Sequence, residues 1–311
     1  MFSPGIALLD LISDILSYGN GSTFPALDRA LFSVRHKFVM NFLHSKYGFL
    51  FEKYRDAPEC AVKAVPAPIW VCWLQGEDKA PALVRKCIAS IRHNAGKHPV
   101  VIVTESNIDQ YLKLPTYIKD KHQNGLISPA HFSDVLRVCL LAEHGGLWLD
   151  STVFCCRSIP DAIFQYPIFT CKNDINNDSY RFVSLGRWKI AILGSMKNSL
   201  FFNYMRDFLL EYWKNESCVI DYFLTDYAIA LALEHLPIVR DEFAALPTHN
   251  WPMNILRQNI NRAFDERLFH SIINSDTLYF QLSYKDDLKE YTADGQKTFY
   301  YHFLRDLWCR Q

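Results

Sequence analysis

Apolar positions crowd nearly every side of residues 132–142, where only Ser133, Asp134 and Arg137 interrupt a run of Phe, Val, Leu, Cys and Ala. A helix that is apolar all round is a buried one. Ser128 followed by Pro129 marks its start, because serine caps the first free N–H groups and proline at the first helical position gives up an N–H that has no partner anyway. Gly145 marks its stop, since a helix commonly closes on a left-handed residue. Leu147-Trp148-Leu149 then reads as a short buried strand with Asp150 at its carboxyl end. In open α/β sheets ligands bind in the crevice beyond such ends, so the chain is organised around this stretch.

Upstream, residues 69–74 (IWVCWL) read as a strand closed by Gln75-Gly76. Pro81 opens a helix to about His93, with Val84, Cys87, Ile88 and Ile91 as its inner stripe. Residues 99–104 (PVVIVT) are a continuous β-branched run, the mark of a buried parallel strand. Strand, helix and strand predict a βαβ unit with a right-handed crossover, and short helices are expected at 107–112 and 117–122. Downstream the pattern gives strands at 167–171 and 188–193, a polar loop at 172–180, and helices at 198–214 and 218–235. A turn at 246–251 carries His249 and Asn250; a strand at 277–283 and a helix at 298–308 close the chain.

Residues 1–60 form a helical N-terminal segment, with helix-like spacing at 6–16 and 30–50. Its second half mixes Arg35, Lys37, Lys46 and Lys53 with Phe32, Phe38, Phe42 and Phe49. That mixture suits a membrane interface or a lipid-linked acceptor, but the reading preferred over it is an amphipathic helical hairpin packed on the body. Residues 58–68 hold three prolines and read as a linker. The second unit is then 66–311.

Half of the 311 residues are hydrophobic, enough for a sizeable core. Thirty-three basic and thirty-three acidic residues cancel, which argues against nucleic acid as a partner. Nine cysteines are scattered without C-x-x-C spacing, so neither a zinc site nor a disulfide framework is expected, and free thiols in a reducing cytoplasm are. The first residues, MFSPGIALLDLISDIL, lack the early basic residues of a signal peptide. No G-x-G-x-x-G follows either strand and no G-x-x-x-x-G-K-[ST] occurs, which argues against dinucleotide and P-loop enzymes.

Asp134 and Arg137, three apart, lie on one face of the predicted helix. Buried charge is costly unless paired, so the two form a mutual ion pair or turn toward a polyhydroxylated ligand, and Asp150 close by favours the ligand. Asp221 and Asp226 are further carboxylates, either catalytic or placed by helix-terminus electrostatics.

The wording AHFSDVLR…GGLWLDSTVF resembles the DXD-type sugar transferases of the GT-A fold, and more closely the capsular polysaccharide synthesis glycosyltransferases. Blocks at 70–76 (WVCWLQG), 221–224 (DYFL), 281–285 (QLSYK) and 298–304 (TFYYHFL) extend the likeness over about 66–310. The resemblance implies an α/β fold: a GT-A-like, Rossmann-type nucleotide-sugar-binding domain with added helices. It implies retaining transfer of a hexose, galactose as first choice, from a UDP-sugar to a polysaccharide or lipid-linked oligosaccharide at the inner face of the membrane. Asp150, Asp134 and Arg137 would be catalytic. The donor set would add Trp70, Trp73, Gln75, Trp148, Ser151, Thr152 and Lys285. A divalent cation, manganese or magnesium, would sit on Asp150 and Thr152 with His302 as a late ligand. Thr152 stands where DXD enzymes carry a second carboxylate, which weakens the case for the metal. A nucleotide-sugar hydrolase and a non-catalytic nucleotide-sugar-binding subunit are the alternatives.

Overall fold

The computed structural model describes residues 25–172, 179–246 and 252–305. Two helices come first, α1 (Pro25–Tyr47) and α2 (Phe49–Arg55). Strand β1 (Ile69–Cys72), helix α3 (Ala82–Asn94) and strand β2 (Val100–Val103) form the expected βαβ unit, with Ile69 opposite Val100 in parallel register. Short helices α4 (Ile108–Tyr111) and α5 (Thr116–Gln123) lead to α6 (Pro129–His144), and β3 (Gly146–Leu149) follows at once. The Ser128 hydroxyl accepts from the His131 N–H, as its place before Pro129 predicts.

Gly145 and Gly146 have φ of 66° and 101°. A Cβ on Gly146 would stand 2.1 Å from the Pro68 carbonyl oxygen. Only glycine allows both that backbone and that approach, and this lets β3 lie beside β1.

The remaining elements are β4 (Val153–Cys155), β5 (Phe169–Thr170), β6 (Ile192–Ser195), α7 (Leu200–Asn215), α8 (Leu224–His235), α9 (Pro237–Ala245), α10 (Ile255–Asn259), α11 (Glu266–Ile273), β7 (Tyr279–Gln281) and α12 (Phe299–Leu304). The main sheet has the order β2-β1-β3-β6-β5, and a second sheet pairs β4 with β7. Strands β2, β1, β3 and β5 run one way and β6 the other. The fold is α/β, with helices packed around a central, mostly parallel sheet. The chain goes from β1 outward to β2 and returns to place β3 on the other side of β1. That reversal opens a crevice at the carboxyl ends of β1 and β3.

Several boundaries differ from the sequence reading. The strand expected at 188–193 begins at Ile192, and Trp188, Lys189, Ile190 and Ala191 before it line a cavity. The helix expected from 218 begins at Leu224: the Asp221 carboxylate accepts the Phe223 N–H at 2.8 Å and makes a turn there. Helices α9, α10 and α11 and strand β4 were not expected. Two of the missed helices carry start signals in the sequence, Pro237 at the head of α9 and Asp265 capping Leu268 N–H of α11. The predicted helix at 6–16, the residues 173–178 of the polar loop, His249 and Asn250, and the last residues of the closing helix lie outside the described residues.

Residues 58–68 are not a loose linker. Val62 bridges to Lys197, and the Glu59 carboxylate accepts from Leu200 N–H at 3.1 Å, the first residue of α7. Val39, Leu43, Tyr47, Leu50, Phe51 and Tyr54 of α1 and α2 are buried in the same cluster as β1, β3, α6, α7 and α8. A smaller core gathers Leu83, Cys87, Phe154, Phe269, Phe280 and Phe299. No helix among the described residues is long and apolar enough to cross a membrane. The eight described cysteines are free.

Glu242 of α9 lies beside Glu59, and burial first, then that neighbouring carboxylate, push it up to about 8. The ordinary value is 4.5, so between the two the folded chain keeps a proton that the unfolded chain releases. Stability therefore falls as pH rises through this window. Glu242→Gln should flatten the fall. Denaturant midpoints at about pH 5 and about pH 8.5 check it: the wild-type drop should exceed the variant's, and equal drops would refute the assignment.

Candidate active site

A cavity of about 1140 Å³ sits at the carboxyl ends of β1 and β3. Small-molecule sites run to roughly 300–1,000 Å³, so this one suits a larger ligand. Trp73, Leu74 and Gln75 follow β1 into it, and Asp150, Ser151 and Thr152 follow β3. Helix α6 contributes Asp134 and Arg137.

Arg137 is the centre of the wall. It is 3 % exposed. One guanidinium N–H group donates to Asp134 Oδ1, and the other donates to Asp150 Oδ1 at 2.8 Å. The guanidinium stacks over the Trp148 ring at 4.9 Å. The Trp148 indole N–H donates to the same Asp150 Oδ1 at 2.8 Å. The Thr225 hydroxyl donates to Asp134 Oδ2 at 2.9 Å. Burial works against the Arg137 charge, but the Asp150 and Asp134 carboxylates outweigh it and hold the pKa above its ordinary value. The ion pair and the cavity wall are thus one structure. Asp150 is gripped by Oδ1, and no described residue donates to its Oδ2.

Thr152 accepts from the Gln281 amide N–H at 2.9 Å, and Gln281 Oε1 is buried without a partner among the described residues. The Trp73 indole N–H is likewise buried and partnerless, and its ring meets Tyr284 edge-on at 5.3 Å. An unpaired buried polar atom costs stability, and both Gln281 and Trp73 belong to the cavity lining. Gln75 and Lys285 are exposed at the rim. Burial pushes the Cys72 thiol up to about 12, so it stays an inert part of the wall.

Against this geometry, a model of the capsular polysaccharide synthesis protein family matches residues 21–303. The chain belongs to that family. Among solved structures, the PaToxG glycosyltransferase is similar at 12% identity and a TM-score of 0.38, covering 68% of this chain and 83% of that one. No curated protein sequence matches. The capsular polysaccharide synthesis family match takes in α1 and α2, which the sequence blocks at 66–310 left out.

In this chain Asp134, Arg137, Asp150, Trp148, Ser151, Thr152, Trp73, Gln75 and Lys285 come together at one cavity. Trp70 and His302 do not. Trp70 lies within β1, 3 % exposed, and its indole N–H donates to the Gly145 carbonyl at 2.9 Å. Trp70 is not among the residues that line the crevice. His302 sits on α12 against the Phe264 ring at 4.1 Å, outside the cavity lining. The residues not singled out from the sequence are Thr225, Gln281, Trp188 and Lys189, whereas Asp226 stood there as a carboxylate either catalytic or placed by electrostatics. The available signal was Thr225-Asp226, a polar pair at the head of an otherwise apolar helix.

Proposed function

We propose that this protein is a glycosyltransferase that moves a hexose, galactose as first choice, from a UDP-sugar to a lipid-linked intermediate of a surface polysaccharide. The observation that carries the reading is Asp150. It stands at a strand end, fixed through one oxygen by Arg137 and Trp148, with its other oxygen left for a ligand in a cavity large enough for a nucleoside diphosphate sugar. Transfer places negative charge on the leaving diphosphate, and fixed cations aimed at it are the largest expected source of rate. Arg137 is already shared between two carboxylates; Lys285 at the rim has no ion pair among the described residues. Residues 1–60 serve as the acceptor- or membrane-proximal part, and the exposed Leu27, Val34, Phe38 and Phe49 of the first two helices support that role.

The divalent ion implied by the family likeness fits as one carried in by the donor. Asp150 Oδ2, Thr152 Oγ1 and the partnerless Gln281 Oε1 are oxygen donors of the kind magnesium and manganese take. No cluster of three His, Cys, Asp or Glu stands among the described residues to hold an ion without the donor. Bound with it, such an ion supplies positive charge to the diphosphate. Exhaustive EDTA treatment should therefore lower transfer, and manganese or magnesium should restore it. Full activity in EDTA, together with an inactive Lys285→Ala variant, would instead make the lysine the counter-charge.

The test of function is UDP release from a panel of UDP-hexoses, with and without a lipid-linked oligosaccharide. Release that requires the acceptor supports transfer; equal release without acceptor would make the protein a hydrolase.

A further inference from the structure

Asp226 lies in the first turn of α8, 8 % exposed, and lines the cavity. The Trp188 indole N–H donates to its Oδ1 at 2.7 Å. No described residue donates to Oδ2. The preceding residue, Thr225, is the one that holds Asp134, so Asp226 is fixed to the same wall as the Arg137 cluster without belonging to it. The charged groups around it are Asp134 and Arg137 from α6 and Lys189 from the stretch before β6. Beside it on its own helix, the Tyr227 hydroxyl is engaged by His36 at 2.7 Å. Burial, the largest influence, raises the carboxyl to about 7; the Trp188 hydrogen bond works against this and Asp134 adds to it.

Stability does not account for this acid. A buried carboxyl with one hydrogen-bond donor is generally worse for folding than an apolar side chain of similar size. A carboxyl held by one oxygen, with the other toward a ligand cavity and an ionisation poised near neutral pH, is instead arranged to exchange a proton with what occupies the cavity.

We propose that Asp226 is the catalytic base of the transfer, its free oxygen taking the proton of the acceptor hydroxyl. The inference rests on the donor reading above and assigns the acceptor its place in the same cavity, next to Trp188 and Lys189. In the step, the acceptor O–H bond breaks and its proton passes to the Asp226 carboxylate. The acceptor oxygen bonds to the anomeric carbon. The bond from that carbon to the diphosphate oxygen breaks, and its electron pair leaves with UDP. Asp226 then returns the proton to solvent. The proton thus goes to the protein and not to the leaving phosphate.

The experiment uses the full chain, with donor binding followed by thermal shift and acceptor-dependent UDP release followed across pH. Wild-type kcat/KM should rise with pH through about 7 to a plateau. Asp226→Asn keeps the oxygen that accepts from Trp188. It should lower kcat by about 10²–10⁴-fold and remove the pH limb, while donor binding changes by less than about twofold. Asp226→Glu should retain a limb at shifted pH, and it stands in for the amide variant if that one does not fold. Asp226→Asn with kcat within about tenfold of wild type, or with its limb intact, overturns the proposal. So does a loss of donor binding that matches the loss of rate, which would make Asp226 structural. A wild-type chain that binds no UDP-sugar would refute the donor reading itself, a separate result.

Discussion

Asp150→Ala should remove transfer while leaving the fold standing: a rate loss of at least about a hundredfold, the usual scale for one preorganised electrostatic group, with a modest shift in unfolding midpoint. The asymmetry follows from where the carboxylate sits. Its side chain is 31 % exposed against 12 % for Asp134, so its loss strips the cavity of ligand-facing charge more than it damages the core. Arg137 loses one of two carboxylates but keeps Asp134 and the Trp148 ring. The measurement pairs acceptor-dependent UDP release with a denaturation curve on the same preparation. Activity near wild type in folded Asp150→Ala would remove Asp150 from the site. A collapse of the midpoint would make it a structural residue.

Arg137→Met should do the opposite and unfold the protein readily. The guanidinium neutralises two carboxylates, one of them almost fully buried. Removing one partner of a buried pair destabilises by about 3–5 kcal/mol, because the orphaned charge stays behind. Asp134→Asn should be milder, since the amide can still accept from the Thr225 hydroxyl. Adding Asp134→Asn to Arg137→Met should then recover part of the lost stability, because the more buried of the two orphaned carboxylates loses its charge; such non-additivity is expected of residues in contact. Chemical-denaturation midpoints of the three variants decide it. An unchanged midpoint in Arg137→Met would contradict the buried cluster.

The part of the fold legible in the sequence is the part fixed by local signals. Ser128-Pro129, the all-round apolar run and Gly145 determine α6 among neighbouring residues, and the helix appears where they put it. The β-branched run of β2 is equally local. The rest depends on distant partners. Trp188 to Ala191 have strand-like composition, but they line the cavity and the strand starts four residues later. Trp70 and Trp73 look alike in sequence; one is inside β1 and the other past its end, and only the second faces the ligand space. Residues 58–68 look like a linker because proline and small residues dominate, yet Val62 and Glu59 find partners near α7, far along the chain.

The candidate site divides the same way. Asp134, Arg137 and Asp150 were visible because charge in an apolar helix and at a strand end stands out. That they form one cluster, and that Arg137 grips Asp150 rather than only Asp134, required the β3 geometry that Gly145 and Gly146 allow. Thr225 and Asp226 carried the same kind of signal, but the helix was expected to begin earlier, and their place at its head beside the cavity was hidden.

The central claim is that this cavity holds a nucleotide sugar on Asp150. Calorimetric titration of the full chain with UDP-hexoses, in parallel with Asp150→Asn, tests it most directly. The account predicts saturable binding of at least one UDP-hexose to the wild type and its loss in the folded variant. No binding to the wild type, or equal binding to both, would contradict it.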